Sequence, residues 1–136
     1  MITIQHHVGR LGEFRFEREI SVPQMKEFSS KMSELVVRAG QRMVFVVDFR
    51  DCEPVDGQIE AMFIGQVRSD NWALERSAFL LLPGAAGTTQ MEKVISLGRN
   101  PARQAFRELE ELVAYVSPIL LPEEVQRVRA FFAERS

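Results

Sequence analysis

The sequence predicts an α/β fold in which a mixed, mostly parallel sheet opens with an antiparallel hairpin. Three observations carry that reading. Residues 2–8 and 13–18 each alternate in character and are separated by the Gly-bounded segment Gly9-Arg10-Leu11-Gly12, as two half-buried strands joined by a turn would be. Residues 43–49 and 78–82 read Met-Val-Phe-Val-Val-Asp-Phe and Ala-Phe-Leu-Leu-Leu, the near-continuous apolar runs of strands buried on both faces. Helical periodicities separate and follow these runs, giving the order β-β-α-β-α-β-α with one or two elements still to come. Strands alternating with helices imply right-handed crossovers and parallel pairing.

Each element has its own signal. In the first strand Ile2, Ile4, His6 and Val8 share one face; in the second, Phe14 and Phe16 oppose Glu13, Arg15 and Glu17. Ser21-Val22-Pro23-Gln24 has the form of a capping box, with Ile20 and Met25 placed as a hydrophobic staple. Met25, Phe28, Met32, Leu35, Val36 and Ala39 then keep helical spacing and Gly40 stops the run, so a helix is predicted over residues 22–39, its Met and Phe stripe facing the core. The strand over 43–49 runs into a polar loop, residues 50–54. Ile59, Met62, Phe63, Gln66 and Val67 mark a second helix beginning near Val55. The strand over 76–82 ends at Pro83-Gly84, and Thr88 or Thr89 is placed to cap a third helix carrying Met91, Val94, Ile95 and Leu97. From Asn100-Pro101 the apolar spacing alone predicts one long helix to Ser117. Pro118 and Pro122 break the chain, and a last amphipathic helix is expected over 121–135, with Val125, Val128 and Phe132 on its apolar side.

The 136 residues, 46% hydrophobic and 26% charged, suit one folded domain spanning 1–136, and no repeat or linker divides it. The net charge of -2, with cations spread along the chain, lacks the footprint of a nucleic-acid binder. No apolar run is long enough for membrane insertion, and residues 1–8 do not resemble a secretory signal. With a single cysteine, Cys52, no internal disulfide can form, and a cytoplasmic location is expected.

The chemistry-bearing residues do not assemble into a catalytic set. His6 and His7 are adjacent, point to opposite faces of a strand, and have no third histidine or second cysteine to complete a metal site. Cys52 follows a buried strand, where nucleophiles do occur, but no base lies near it in sequence. Residues 84–89 sit between strand and helix like a phosphate loop yet lack its lysine. Asp48 ends a buried strand as a phospho-acceptor would, without the acidic pair on the first strand that such chemistry needs. Arg103, Arg107, Glu108, Glu110 and Glu111 read as a solvated face with pairs at spacings of three and four. No catalytic residue, metal ligand or cofactor is expected.

Two segments carry a family resemblance. In the first, the buried strand ends in Val-Val-Asp-Phe, a short polar loop follows, and Pro54-Val55-Asp56-Gly57 opens a helix. This resembles the STAS domains, the fold of anti-sigma-factor antagonists and of the cytoplasmic tails of sulphate transporters. The second, residues 106–116 (Phe-Arg-Glu-Leu-Glu-Glu-Leu-Val-Ala-Tyr-Val), is similar to the last strand and helix of the STAS-like group labelled SpoIIAA-like. The resemblance runs from about Glu13 to Val116. It implies a five-stranded sheet with four to five helices, makes residues 102–106 a strand instead of helix, and sets a core of about 1–117 apart from the additional C-terminal helix.

It also implies a non-enzymatic module that binds a regulatory protein partner. In the antagonists the phosphorylated Ser follows the helix-opening Asp; here Asp56 is followed by Gly57, Gln58 and Ile59, so the phosphorylation switch does not carry over. Loops at the C-terminal ends of strands carry binding in such sheets, which selects Arg50, Asp51, Glu53, Asp56 and Gln58 as the partner surface. The alternative is a small apolar ligand or lipid, held by Met62, Phe63 and Trp72 where the second helix could swing off the sheet. The last helix is expected to pack either on its own sheet or on a second copy in a homodimer.

Overall fold

A computed structural model describes residues 1–134. Its elements are β1 (Ile2–Gln5), β2 (Leu11–Arg18), α1 (Val22–Ala39), β3 (Met43–Cys52), α2 (Gly57–Ser69), β4 (Leu74–Leu80), α3 (Ala86–Leu97), β5 (Arg103–Phe106), α4 (Leu109–Val116) and α5 (Pro122–Ala133), with a 3-10 turn, Ser117–Ile119, before α5. The five strands lie side by side in chain order. β1 runs antiparallel to β2, and β2 to β5 are parallel. Each helical crossover therefore moves one strand in the same direction, and crossovers of one hand place α1, α2 and α3 on one face. The chain then turns back, and α4 and α5 cover the other.

Two cores result. On the first face Phe14, Phe16, Phe45, Phe49 and Phe79 meet Met25, Phe28 and Met32 of α1 and Phe63 of α2. Phe16 sits at the centre, its ring 4.5 Å from Phe49, 5.1 Å from Phe28 and 5.3 Å from Phe63. On the second face Leu11, Val44, Val46, Ala78 and Leu80 meet Leu112, Val113 and Val116 of α4 and Val128, Phe131 and Phe132 of α5. α5 thus packs on its own sheet, and the expected end of the last helix at residue 135 lies outside the described residues. The two cores explain why residues 43–49 are buried without alternation: β3 is central and covered on both sides.

α1 occupies the residues its sequence predicts. The Ser21 hydroxyl accepts from the Gln24 N–H, the Gln24 amide oxygen accepts from the Ser21 N–H at 2.8 Å, and Gly40 closes the helix at φ 64°, a conformation glycine adopts without strain.

Several boundaries differ from expectation. Leu11 and Gly12 belong to β2, paired with Val44 and Phe45; a Cβ on Gly12 would meet the Phe45 ring at 2.7 Å, so what reads as a turn is a close approach inside a strand. β3 runs on through Arg50, Asp51 and Cys52 because β2 stays beside it past a bulge in β3, where the three steps from Asp48 to Asp51 match the two from Arg15 to Glu17. The face of β2 carrying Glu13 and Arg15 is covered by α5, and Glu13 is fully buried. β1 ends at Gln5, so His6 and His7 leave the strand; His7 Nδ1 lies 3.0 Å from Glu13. Thr88 lies inside α3, not at its cap, and its hydroxyl donates to the Leu82 carbonyl. The long helix to Ser117 does not form. The Asn100 side chain accepts from the Ala102 N–H in a turn, and β5 then pairs with β4. Arg103 is buried and donates to Asn71 at 2.7 Å instead of lying on a solvated face. Arg107 and Glu110 pair with Glu92 and Arg129 on other helices, not one turn away.

Candidate functional site

Parallel pairing brings the loop after β2 beside the loop after β3. Arg18 is level with Cys52, and the Glu53 N–H donates to the Arg18 carbonyl at 3.0 Å. Past this point the two chains diverge into α1 and α2, leaving a cleft of about 530 Å³ lined by Glu19, Ile20, Ser21 and Gln24 on one side and Glu53, Pro54, Val55 and Asp56 on the other. It lies outside the carboxyl ends of β2 and β3, in loops positioned by the rigid sheet. Glu19, Glu53 and Asp56 are all exposed, so the lining carries three carboxylates.

Local structure fixes both walls. Asp56 is the N-cap of α2, its Oδ1 accepting from the Ile59 N–H at 2.9 Å; the capping box of α1 anchors Ser21 and Gln24 opposite. Val55 is held by Gln90 of α3, whose amide oxygen accepts from the Val55 N–H at 2.9 Å and whose amide donates to the Val55 carbonyl at 2.7 Å. These anchors make the cleft a preformed concavity.

The five residues selected from sequence divide between locations. Glu53 and Asp56 line the cleft, and Gln58 is exposed in the first turn of α2. Asp51 is a partly buried strand residue level with Glu17. Arg50 points to the second face, where it binds Asp48 and donates to the Phe132 carbonyl at 2.8 Å. Glu19, Ser21 and Gln24 line the cleft as well, and no binding signal in the sequence points to them. Ser21 and Gln24 were visible as a capping box, but nothing local marked them as neighbours of Glu53.

A second concavity lies inside the first core. A cavity of about 40 Å³ is walled by seven phenylalanines, among them Phe16, Phe49 and Phe63, and bounded at one end by Gln66, Asp70, Ser77 and Arg103. Burial raises the Asp70 carboxyl above its ordinary range against the Gln66 hydrogen bond and the Arg103 charge; burial likewise lowers Arg103 to about 10. Of the apolar residues selected from sequence, Phe63 lines this cavity, while Met62 is partly buried elsewhere on α2 and Trp72 is 68% exposed.

Cys52 borders a third, smaller cavity with Val55 and Met91. Burial pushes its thiol up to about 12, the reverse of what a nucleophile needs. Among the described residues no cluster of His, Cys, Asp and Glu is arranged to hold a metal ion, and no helix is long and apolar enough to cross a membrane.

This architecture is found in solved structures. An uncharacterized protein of the DUF3478 family from Shewanella loihica, described as having a SpoIIAA-like fold, matches with a TM-score of 0.64 at 8% identity, over 85% of this chain and 92% of that one. The fold is SpoIIAA-like. The unphosphorylated anti-sigma factor antagonist SpoIIAA aligns with a TM-score of 0.61 at 15% identity, over 89% of this chain and all of the other. The phosphorylated form of SpoIIAA, described as a Bacillus cell fate determinant, gives 0.54 at 14% identity, over 82% of this chain and 96% of that one. No family model and no curated protein matches the sequence. The SpoIIAA-like order includes β5 and α4, the elements that the STAS-like resemblance, and not the apolar spacing, separated correctly.

Proposed function

We propose that this chain is a non-enzymatic, partner-binding regulatory module of the SpoIIAA-like type, working in the cytoplasm as a single domain and without phosphorylation at the opening of α2. The observation that carries the reading is the preformed acidic cleft between the β2–α1 and β3–α2 loops. SpoIIAA itself is an anti-sigma factor antagonist, which supports a protein as the ligand class. Its three carboxylates suit recognition of a basic segment on that protein. Electrostatic complementarity of this kind speeds encounter and selects the partner. At the first positions of α2 stand Gly57 and Gln58, neither of which a kinase can modify.

The test is capture of partners from the organism's own cells by the native chain and by a variant carrying Glu53→Lys with Asp56→Asn. The Asn retains the helix cap, so stability is preserved. Under this reading a protein held by the native chain is lost by the variant. Retention of every captured protein would remove the cleft as the binding surface.

The Phe-walled cavity favours a second reading, a small apolar ligand. At about 40 Å³ it has room for a few water-sized groups, so an acyl chain would need α2 to move outward. A bound small molecule in native mass spectra, with a rise in melting temperature on adding fatty acids, would support this reading over the first.

A further inference from the structure

The opposite end of the sheet has the reverse electrostatic character. There the chain enters its parallel strands through the α1–β3, α2–β4 and α3–β5 loops. Arg38 stands in the last turn of α1 and Arg42 just before β3; Arg68 is in the last turn of α2 and Arg99 follows α3. All four are exposed, and among the described residues none is ion-paired. Trp72, 68% exposed, stands among them. The Met43 N–H donates to the Ala73 carbonyl at 2.9 Å, setting Arg42 beside the Trp72–Ala73 segment. Asn71 donates to the Gly98 carbonyl at 2.8 Å, setting Arg99 on its other side, and Arg68 Nε donates to the Leu97 carbonyl at 3.0 Å. The carboxylates of these loops are engaged: Asp70 accepts from Gln66 at 2.7 Å, and Glu75 at the start of β4 is paired with Arg10.

Arg38 and Arg68 have an ordinary explanation, since cations complement helix C-termini. Arg99 follows the α3 C-cap Gly98 directly and Arg42 lies two residues past the α1 C-cap Gly40, where that benefit is weaker. Arg99 holds φ 56°, a backbone region where glycine is cheaper and a long side chain carries a cost.

We infer that this Trp- and Arg-bearing end is a second docking surface, and that its occupant is a short acidic segment of a protein carrying apolar residues between its carboxylates. The proposal is independent of the acidic cleft, which lies at the other end of the strands. All four cations are arginines; the three lysines, Lys26, Lys31 and Lys93, are elsewhere. Planar guanidinium forks bind carboxylates in a bidentate manner, and Trp and Arg are both enriched among the residues that carry most binding energy at protein interfaces. Four cations on a chain of net charge -2 fall short of the many phosphate contacts on which nucleic-acid binding rests.

Trp72 is the only tryptophan, so its emission reports this surface directly. The test titrates the full chain with a synthetic peptide of alternating Glu and Leu, and separately with its Lys and Leu counterpart, with phosphatidylserine vesicles and with single-stranded DNA. The Glu peptide is expected to shift Trp72 emission to the blue, with an affinity that falls as salt is raised and falls roughly tenfold in the Arg42→Glu, Arg99→Glu variant. Arg99→Gly, which relieves the backbone, is expected to weaken the peptide without lowering the melting temperature. No spectral response to the Glu peptide would overturn the proposal, as would an equal affinity in both variants. A tighter response to the vesicles, the DNA or the Lys peptide than to the Glu peptide would also overturn it.

Discussion

The Arg50 guanidinium folds back onto the Asp48 carboxylate two residues earlier on the same strand, with Nε and Nη2 each 3.0 Å from an oxygen. Asp48 also accepts from the Arg50 N–H at 3.1 Å, and Arg15 Nε of β2 approaches Oδ2, the oxygen that Arg50 Nη2 also reaches, at 3.4 Å. Both arginines continue outward to α5: Arg15 donates to the Phe131 carbonyl and Arg50 to the Phe132 carbonyl, and their guanidinium carbons lie 4.2 and 5.6 Å from those residues' rings. The carbonyls belong to the last turn of α5, where positive charge is favoured. One buried carboxylate thus orients two cations that hold the terminal helix on the sheet.

Removing that carboxylate leaves two nearly buried guanidinium groups without their shared anion. Asp48→Asn is expected to destabilise the fold by about 3 kcal/mol, and to speed amide exchange in α5 more than in α1. Chemical denaturation and residue-resolved hydrogen exchange measure the two effects.

The same site sets an acid limit. Burial pushes the Asp48 carboxyl up, but the hydrogen bonds and charge of Arg50, with the charge of Arg15, outweigh it and leave the group below its ordinary value of 3.8. A carboxyl depressed by folding stabilises the native state fully above its unfolded value, and that stability is lost as pH falls through the lower folded value. Stability from this site should therefore hold down to about pH 4 and fall below it. Denaturation series in acid, compared between the native chain and Asp48→Asn, should converge at the lowest pH.

Cys52 should be a slow thiol. With burial raising it to about 12 from an ordinary 9.0, alkylation near neutral pH is expected to run on the order of a hundredfold to a thousandfold more slowly than for free cysteine. Iodoacetamide labelling followed by mass spectrometry reads the rate, and a rate above that of free cysteine would mark an activated thiol.

Asp56 has a structural duty beside its place in the cleft. Asp56→Ala should cost about 1 kcal/mol through loss of the α2 cap, and Asp56→Asn much less. Thermal melts of the two variants separate capping from charge, so the binding effect of Asp56→Asn can be read alone.

The sequence made α1 legible because its signals are local: Ser21 and Gln24 cap each other, the apolar stripe is uninterrupted and Gly40 ends it. The centre of β3 was legible because burial on both faces leaves no alternation. What escaped was set by distant contacts. The extension of β3 to Cys52 depends on β2 staying paired past a register shift at which β3 carries one residue more. β5 is four residues long, and its apolar positions fit a helical spacing as readily as a strand, until pairing with β4 decides. Arg103 looks like a surface charge because its partner, Asn71, is 32 residues away. The cleft was half legible for the same reason: Asp56 and Glu53 sit in one recognisable loop, while Glu19 joins them only through the register of two parallel strands.

The proposed function seats a protein partner in the cleft between the β2–α1 and β3–α2 loops. Its most direct test is amide hydrogen exchange of the full chain, alone and in complex with a partner captured from its own cells. Slowed exchange concentrated in residues 19–24 and 53–58 is the predicted result. Protection confined to the α4–α5 face, with those two segments unchanged, would contradict it.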